Sequence, residues 1–145
     1  MYARNYRDSA LRTIRLESEA VAAMSCQIDS SFDAACEIFM SCSGRVVVIG
    51  MGKSGHVANK VAATLASTGT PAFFVHPGEA SHGDIGMITK DDVVLSISSS
   101  GTTSEIIALI PLIKRLGIPL VTMTGDKQSP LAAAATVNLY IGVER

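Results

Sequence analysis

The chain lacks the features that mark several classes of protein. Its twelve basic and thirteen acidic side chains leave a formal net charge of −1, so no global field draws in nucleic acid or an anionic membrane. No apolar run reaches the roughly 20 residues of a membrane-spanning helix, and the N-terminal segment MYARNYRDSALR lacks the apolar centre of a signal peptide. These absences predict a cytoplasmic protein that binds neither nucleic acid nor membranes.

Cysteine is also scarce. Cys26, Cys36 and Cys42 are an odd number without the spacing of a metal site. They predict reduced side chains that pack inside a cytosolic protein. The 145 residues, 48% of them apolar, suit one globular domain spanning 1–145.

The order of apolar segments predicts the fold class. Helical spacing covers 8–26, with Asp8 and Ser9 as candidate caps, and 31–42. These helices, within 1–43, precede the first strand, so they either cover the sheet or form a subunit contact. The core, 44–145, holds five short apolar runs separated by helical patterns, and these predict a three-layer α/β sandwich with a buried parallel sheet. The predicted strands are 46–49, 72–75, 93–97, 120–124 and 137–143, and the later predicted helices include 106–115 and 131–135.

The first predicted strand ends in a glycine-rich loop, GMGKSG (50–55), that opens into a helix. A helix N-terminus with free N–H groups attracts anions, and Lys53 and Ser54 add a charge and a hydroxyl. The loop matches the dinucleotide fingerprint, but the second strand ends FFVHP without the acid that would bind the ribose. A P-loop would need glycine at 47, which is valine. The loop therefore favours a phosphate-bearing ligand other than a dinucleotide.

A second loop, SSSGTTSE (98–105), follows the third predicted strand. Its six hydroxyls and one glycine form a neutral cradle suited to a phosphate dianion. The alternative is an N-capping cluster, with Thr102 or Thr103 as the cap and Glu105 completing a capping box. A cap needs one hydroxyl, so six at the ligand edge of a parallel sheet favour phosphate binding.

Glu105 and two histidines each suit more than one role. Glu105 suits either a capping carboxylate at a helix start or a general base beside a bound substrate. The loop HPGEASHGD holds His76 and His82, six residues apart. Each suits a solvated surface position, a proton relay to a sugar, or capture of a stray divalent metal.

At these loops the sequence resembles the sugar isomerase (SIS) domain family, and within it the arabinose 5-phosphate isomerases. The resemblance runs nearly unbroken over 44–125, through GMGKSGHVANKVAATLASTGTPAFFVHPGEASHGDIGMI, SISSSGTTSEI and ALIPLIKRLGIPLVTMTG. It implies a flavodoxin-like sandwich with a five-stranded parallel sheet and a homodimer or homotetramer. It also implies interconversion of D-ribulose 5-phosphate and D-arabinose 5-phosphate through an enediol, for 3-deoxy-D-manno-octulosonate (Kdo) synthesis in lipopolysaccharide or capsule formation.

The resemblance also implies roles for individual residues. Lys53, Glu105 and His82 are expected to be catalytic, His76 is expected to bind an inhibitory zinc, and no cofactor is required. Enediol chemistry needs a base, a proton shuttle and a cation, which Glu105, His82 and Lys53 could supply. The implied substrate and phosphate contacts are Ser54, Gly69, Thr70, His76, His82, Ser98, Ser99, Ser100 and Thr103.

The chain departs from the family pattern after 143–145, where relatives continue into a segment with a further catalytic glutamate, a later histidine and usually two CBS modules. The 145-residue chain is therefore expected to bind phosphosugars but to isomerise them poorly or not at all. A competing hypothesis is a SIS module that senses a phosphosugar and regulates another function without turnover. A nicotinamide-dependent oxidoreductase is disfavoured by the missing ribose acid.

Overall fold

Strands and helices alternate through the core, as the apolar pattern predicts. The computed structural model describes residues 5–80 and 84–143. Its strands are β1 (Val46–Gly50), β2 (Ala72–Val75), β3 (Val93–Ser98), β4 (Leu120–Thr124) and β5 (Val137–Tyr140). Its helices are α1 (Tyr6–Ala23), α2 (Ser30–Met40), α3 (Gly52–Ser67), α4 (Pro77–Ala80), α5 (Ser104–Ile107), α6 (Ile110–Leu116) and α7 (Pro130–Ala134), with 3₁₀ turns at Met24–Gln27 and Asp84–Met87.

The five strands form one parallel sheet in the order β2-β1-β3-β4-β5. This is the flavodoxin-like order, in which the chain leaves β1 in one direction and β3 in the other. The loops after β1 and β3 therefore diverge at a switch point, and ligands of such sheets bind there. The predicted fold class is confirmed.

Apolar side chains cover both faces of the sheet. One core packs the sheet against α5, α6 and α7, and the other packs it against α2 and α3. Val46, Val47 and Val48 are 0% exposed, which shows that successive residues of β1 are buried on both faces. Burial on both faces explains why the strands read as continuous apolar runs.

Several predicted boundaries were wrong. The expected helix 106–115 is two helices, α5 and α6, because Pro111 at the start of α6 has no N–H to donate and its ring would clash with the carbonyl of Ile107 in one continuous helix. β5 ends at Tyr140, its partner being Thr124 at the end of β4. The first helix is capped by Asn5, whose side chain accepts the Asp8 N–H at 3.1 Å, so neither Asp8 nor Ser9 is the cap.

The two N-terminal helices differ in their packing. α2 packs on β5 and buries Ala35, so it covers the sheet. α1 has no buried residue, and Ile14 and Val21 are 61% and 68% exposed. Cys26 and Cys36 are exposed and Cys42 is half-buried, so the prediction that the cysteines pack inside was wrong for the first two. Over the described ranges, no helix combines the length and apolar character needed to cross a membrane.

Candidate functional site

A cavity of about 540 Å³ opens at the carboxyl-terminal edge of the sheet. It extends across the ends of β1, β3, β4 and β5. The glycine-rich loop (50–55) and the loop 98–105, called the hydroxyl-rich loop below, were predicted to meet there. Its lining is Met51, Ser54, Ile97, Ser98, Ser99, Ser100, Thr103, Gly125, Tyr140, Ile141, Gly142 and Val143. Five of the predicted substrate contacts thus share one cavity: Ser54, Ser98, Ser99, Ser100 and Thr103.

The glycine-rich loop is a tight connection between β1 and α3. A Cβ on Gly50 would lie 2.7 Å from the Ser54 carbonyl oxygen, and one on Gly55 would lie 2.9 Å from the Gly50 oxygen. Only glycine therefore lets β1 and α3 approach so closely. α3 follows Met51, which supplies no side-chain cap. The first N–H groups of this 16-residue helix thus face the cavity edge without a side-chain cap, as in anion sites at helix N-termini.

The hydroxyl-rich loop is held by its own side chains. The hydroxyls of Ser98 and Thr103 lie 3.0 Å apart, and the Gly101 N–H donates to the Ser98 hydroxyl at 3.2 Å. Gly101 has a φ of +64°, a conformation that L side chains rarely adopt. The Gly125 N–H donates to the Ser99 carbonyl at 2.8 Å, which ties this loop to the end of β4.

The capping-box interpretation was wrong. Thr103 is the N-cap residue of α5, but its side chain makes no capping hydrogen bond and instead contacts Ser98. The Glu105 carboxylate accepts a hydrogen bond from the Ser104 hydroxyl at 2.8 Å. The Thr103 side chain therefore lines the cavity and contacts Ser98 instead of capping the helix.

Glu105 and His76 lie close to each other but outside the cavity lining. The pKa of the Glu105 carboxyl is lowered chiefly by its own backbone N–H, then by the Ser104 hydroxyl, with a small contribution from the His76 imidazole. The Nδ1 atom of His76 accepts the Gly78 N–H at 3.2 Å. Glu105 is thus an ionised carboxylate at neutral pH, as a general base must be.

The other predicted site residues are dispersed. Lys53 is exposed in the first turn of α3, next to Ser54 but not in the lining. Gly69 and Thr70 precede β2 and so lie at the opposite edge of the parallel sheet; within one chain they do not line the cavity. His82 lies outside the described residues. In the described ranges no group of three or more His, Cys, Asp or Glu could hold a metal, so zinc at His76 remains a prediction.

Sequence reasoning missed several residues of the lining. Met51, Gly125, Tyr140 and Gly142 follow or end β1, β4 and β5, so the rule that ligands bind at the carboxyl ends of parallel strands could have found them. Tyr140 was missed because the fifth strand was predicted to run to 143, which placed this side chain in the strand interior.

Comparison with known proteins places the chain in a family. The SIS domain matches residues 39–145, and the chain belongs to the SIS domain family. Arabinose 5-phosphate isomerase KdsD of Pseudomonas aeruginosa is 66% identical over 135 residues, which are 93% of this chain and 41% of that protein. The chain therefore spans about two fifths of the length of that curated relative.

Solved structures agree with this assignment. The structure of Escherichia coli CFT073 c3406 in complex with arabinose 5-phosphate is 44% identical, with a TM-score of 0.84, and covers 97% of this chain and 76% of that one. A protein of Listeria monocytogenes str. 4b F2365 is 29% identical, with a TM-score of 0.94 over 100% of this chain and 76% of that one. The SIS fold and the resemblance to arabinose 5-phosphate isomerases are both confirmed.

Proposed function

We propose that this chain is the phosphosugar-binding domain of an arabinose 5-phosphate isomerase. The observation that carries the proposal is the cavity in which Ser54 meets Ser98, Ser99, Ser100 and Thr103 beside the N-terminus of α3. Such a site suits a phosphate dianion. The P. aeruginosa relative and the arabinose 5-phosphate complex of the E. coli protein support the substrate. Because the chain spans about two fifths of that relative, turnover is proposed for a protein containing this domain together with the remaining length.

The proposed reaction moves a proton between C1 and C2 of the open-chain sugar. Glu105 takes the proton from C2 of the aldose, the hydroxyl proton passes from O2 to O1 by way of His82, and the carbon-bound proton returns at C1. Lys53 stabilises the negative charge of the enediolate. The lowered pKa of Glu105 keeps the carboxylate ionised and therefore able to accept a proton, although it also lowers the basicity of the group. The proposed steps use no redox cofactor and no metal.

A second candidate is a sensor that binds the phosphosugar without turning it over. One observation favours it: Lys53 and Glu105 lie outside the cavity lining, and the lining residues that the structure describes are all uncharged. A regulator needs only this neutral cradle, whereas an isomerase needs the base and the cation to reach the sugar.

Exchange of the C2 proton separates these candidates. Arabinose 5-phosphate in deuterated water would be followed by NMR with the full-length protein and with the 145-residue chain. We expect deuterium at C2 with the full-length protein, loss of this exchange in Glu105→Gln, and little or no exchange with the 145-residue chain. Glu79→Gln, which changes a carboxylate on α4 outside the cavity lining, is the control. Binding without exchange in the full-length protein would establish the sensor instead.

We further propose a cytoplasmic homodimer or homotetramer that serves Kdo synthesis and binds neither nucleic acid nor membranes. The exposed apolar side chains of α1 support self-association, because Leu11, Ile14 and Val21 recur at helical spacing and an apolar helix face is costly to leave in water. In such an oligomer, Gly69 and Thr70 of a partner chain could reach the cavity, whereas those of the same chain lie at the opposite edge of the sheet.

A further inference from the structure

Tyr140 separates two cavities. It lines the cavity beside the hydroxyl-rich loop, and together with Ile141 it also lines a second cavity of about 470 Å³. The second cavity lies between the segment 24–32 and the ends of β4 and β5, and Lys127 is part of its lining. Tyr140 therefore lies between a cavity lined by hydroxyl groups and a more apolar cavity.

The ring is held in place from two sides. The Lys127 ammonium lies over it, with Nζ 4.8 Å from the ring centroid. A Cβ on Gly142 would lie 2.0 Å from the Tyr140 hydroxyl, so only glycine lets the phenol occupy this position. Lys127 lines only the second cavity and Gly142 lines only the first. Because the Tyr140 hydroxyl lies beside Gly142, the hydroxyl end of the ring is at the first cavity.

The hydroxyl of Tyr140 is available to a ligand. Within the described parts of the chain it forms no hydrogen bond, although Tyr140 is half-buried. Among the described residues, none that lines the first cavity is charged. A phosphate dianion in that cavity would consequently gain from every additional donor, and hydrogen bonds to a charged acceptor are stronger than those between neutral groups.

We propose that Tyr140 is a phosphate-contacting residue whose hydroxyl donates to the anion at the β5 end of the cavity. Lys127 is a positioning residue that acts through the ring, because a cation over the π face is attracted to it and so holds the ring in place. The proposal rests on the phosphate-binding part of the function proposed above, and not on isomerisation.

Titration with inorganic phosphate and with arabinose 5-phosphate tests this assignment. Binding to the 145-residue chain would be followed by NMR chemical shifts at a pH where both ligands are dianions. Tyr140→Phe should weaken both ligands about tenfold to a hundredfold, as expected for one hydrogen bond to a charged group. Tyr6→Phe, at a 73% exposed position on α1, is the matched control and should change neither affinity.

Lys127→Met tests the second half of the proposal. It should weaken both ligands about twofold to fivefold, the size of an exposed cation–π contact, and should add much less in the Tyr140→Phe background, where the donor is gone. Lys114→Met, an exposed lysine near the end of α6, controls for lost net charge. Equal effects of the two lysine variants would overturn the role of Lys127.

The outcomes separate this proposal from the function it rests on. Unchanged phosphate affinity in a folded Tyr140→Phe variant overturns the contact, and so does a loss confined to arabinose 5-phosphate, which would assign the hydroxyl to the sugar. A native chain that binds inorganic phosphate but not arabinose 5-phosphate overturns the proposed substrate and leaves the Tyr140 contact standing. A native chain that binds neither ligand overturns both.

Discussion

A methyl group on Gly101 should destabilise the hydroxyl-rich loop from within. Gly101 is buried at a φ of +64°, and its carbonyl accepts the Leu131 N–H at 3.1 Å. An added Cβ would lie 2.1 Å from the Ser129 hydroxyl and 2.4 Å from the Ser129 Cβ. Rotating the hydroxyl away cannot relieve the second overlap, so the backbone of the loop or of α7 must shift.

Two costs add in Gly101→Ala. The left-handed conformation costs an alanine about 1 to 2 kcal/mol, and the forced overlap costs about 1 to 3 kcal/mol. We therefore expect the free energy of unfolding to fall by about 2 to 5 kcal/mol, with weaker phosphate binding, because Gly101 donates to the Ser98 hydroxyl. Urea unfolding followed by far-ultraviolet circular dichroism measures the first effect and phosphate titration the second.

Gly117→Ala is the matched control. Gly117 has a φ of +68°, but a Cβ there would meet nothing within 4 Å. Only the conformational cost of about 1 to 2 kcal/mol should appear, and phosphate binding should not change. If Gly101→Ala is no more destabilising than Gly117→Ala, the close contact with Ser129 does not exist in solution.

Two further predictions concern the rest of the chain. Asp92 is 2% exposed, and burial raises its pKa. The N–H groups of Thr89 and Arg45 and the Arg45 guanidinium together lower this pKa by more than burial raises it, so that it lies below the ordinary value. Asp92→Asn should therefore cost about 2 to 4 kcal/mol at neutral pH. A carboxyl whose pKa is lowered by folding stabilises the fold at pH values above its pKa in the unfolded chain. The difference in free energy of unfolding between the native chain and Asp92→Asn, measured by urea titration, should therefore narrow below about pH 4. A difference that does not change with pH would contradict the ionised carboxylate. Ile14→Glu should lower the mass measured by light scattering while Arg12→Glu does not, and a native monomer would refute self-association through α1.

The sequence predicted the sheet well because its central strands, β1 and β3, are buried on both faces and so read as apolar runs. β2 and β4 were predicted at their observed bounds, since each is a short apolar run that begins beside a proline. The helix after β3 was predicted as one piece because apolar periodicity continues through Pro111, whose backbone effect interrupts it. The boundary between α5 and α6 is therefore set by the backbone of Pro111 and not by the apolar pattern.

The candidate site was predictable where it follows strand ends and not elsewhere. Ser54 and the 98–103 loop were placed together because parallel strands end at one edge. Gly69 and Thr70 came only from the resemblance, and within one chain they lie at the other edge. The position of Tyr140 at a strand end depends on where the pairing between β4 and β5 stops. The sequence of neither strand shows this by itself.

A structure of this chain with arabinose 5-phosphate bound would show where the phosphate group binds. We expect the phosphate group in the cavity at the carboxyl edge of the sheet, within hydrogen-bond distance of the Tyr140 hydroxyl and of the lining hydroxyls of the 98–105 loop, those of Ser98, Ser99, Ser100 and Thr103. A phosphate bound in the second cavity, or on the surface away from the hydroxyl-rich loop, would contradict this expectation.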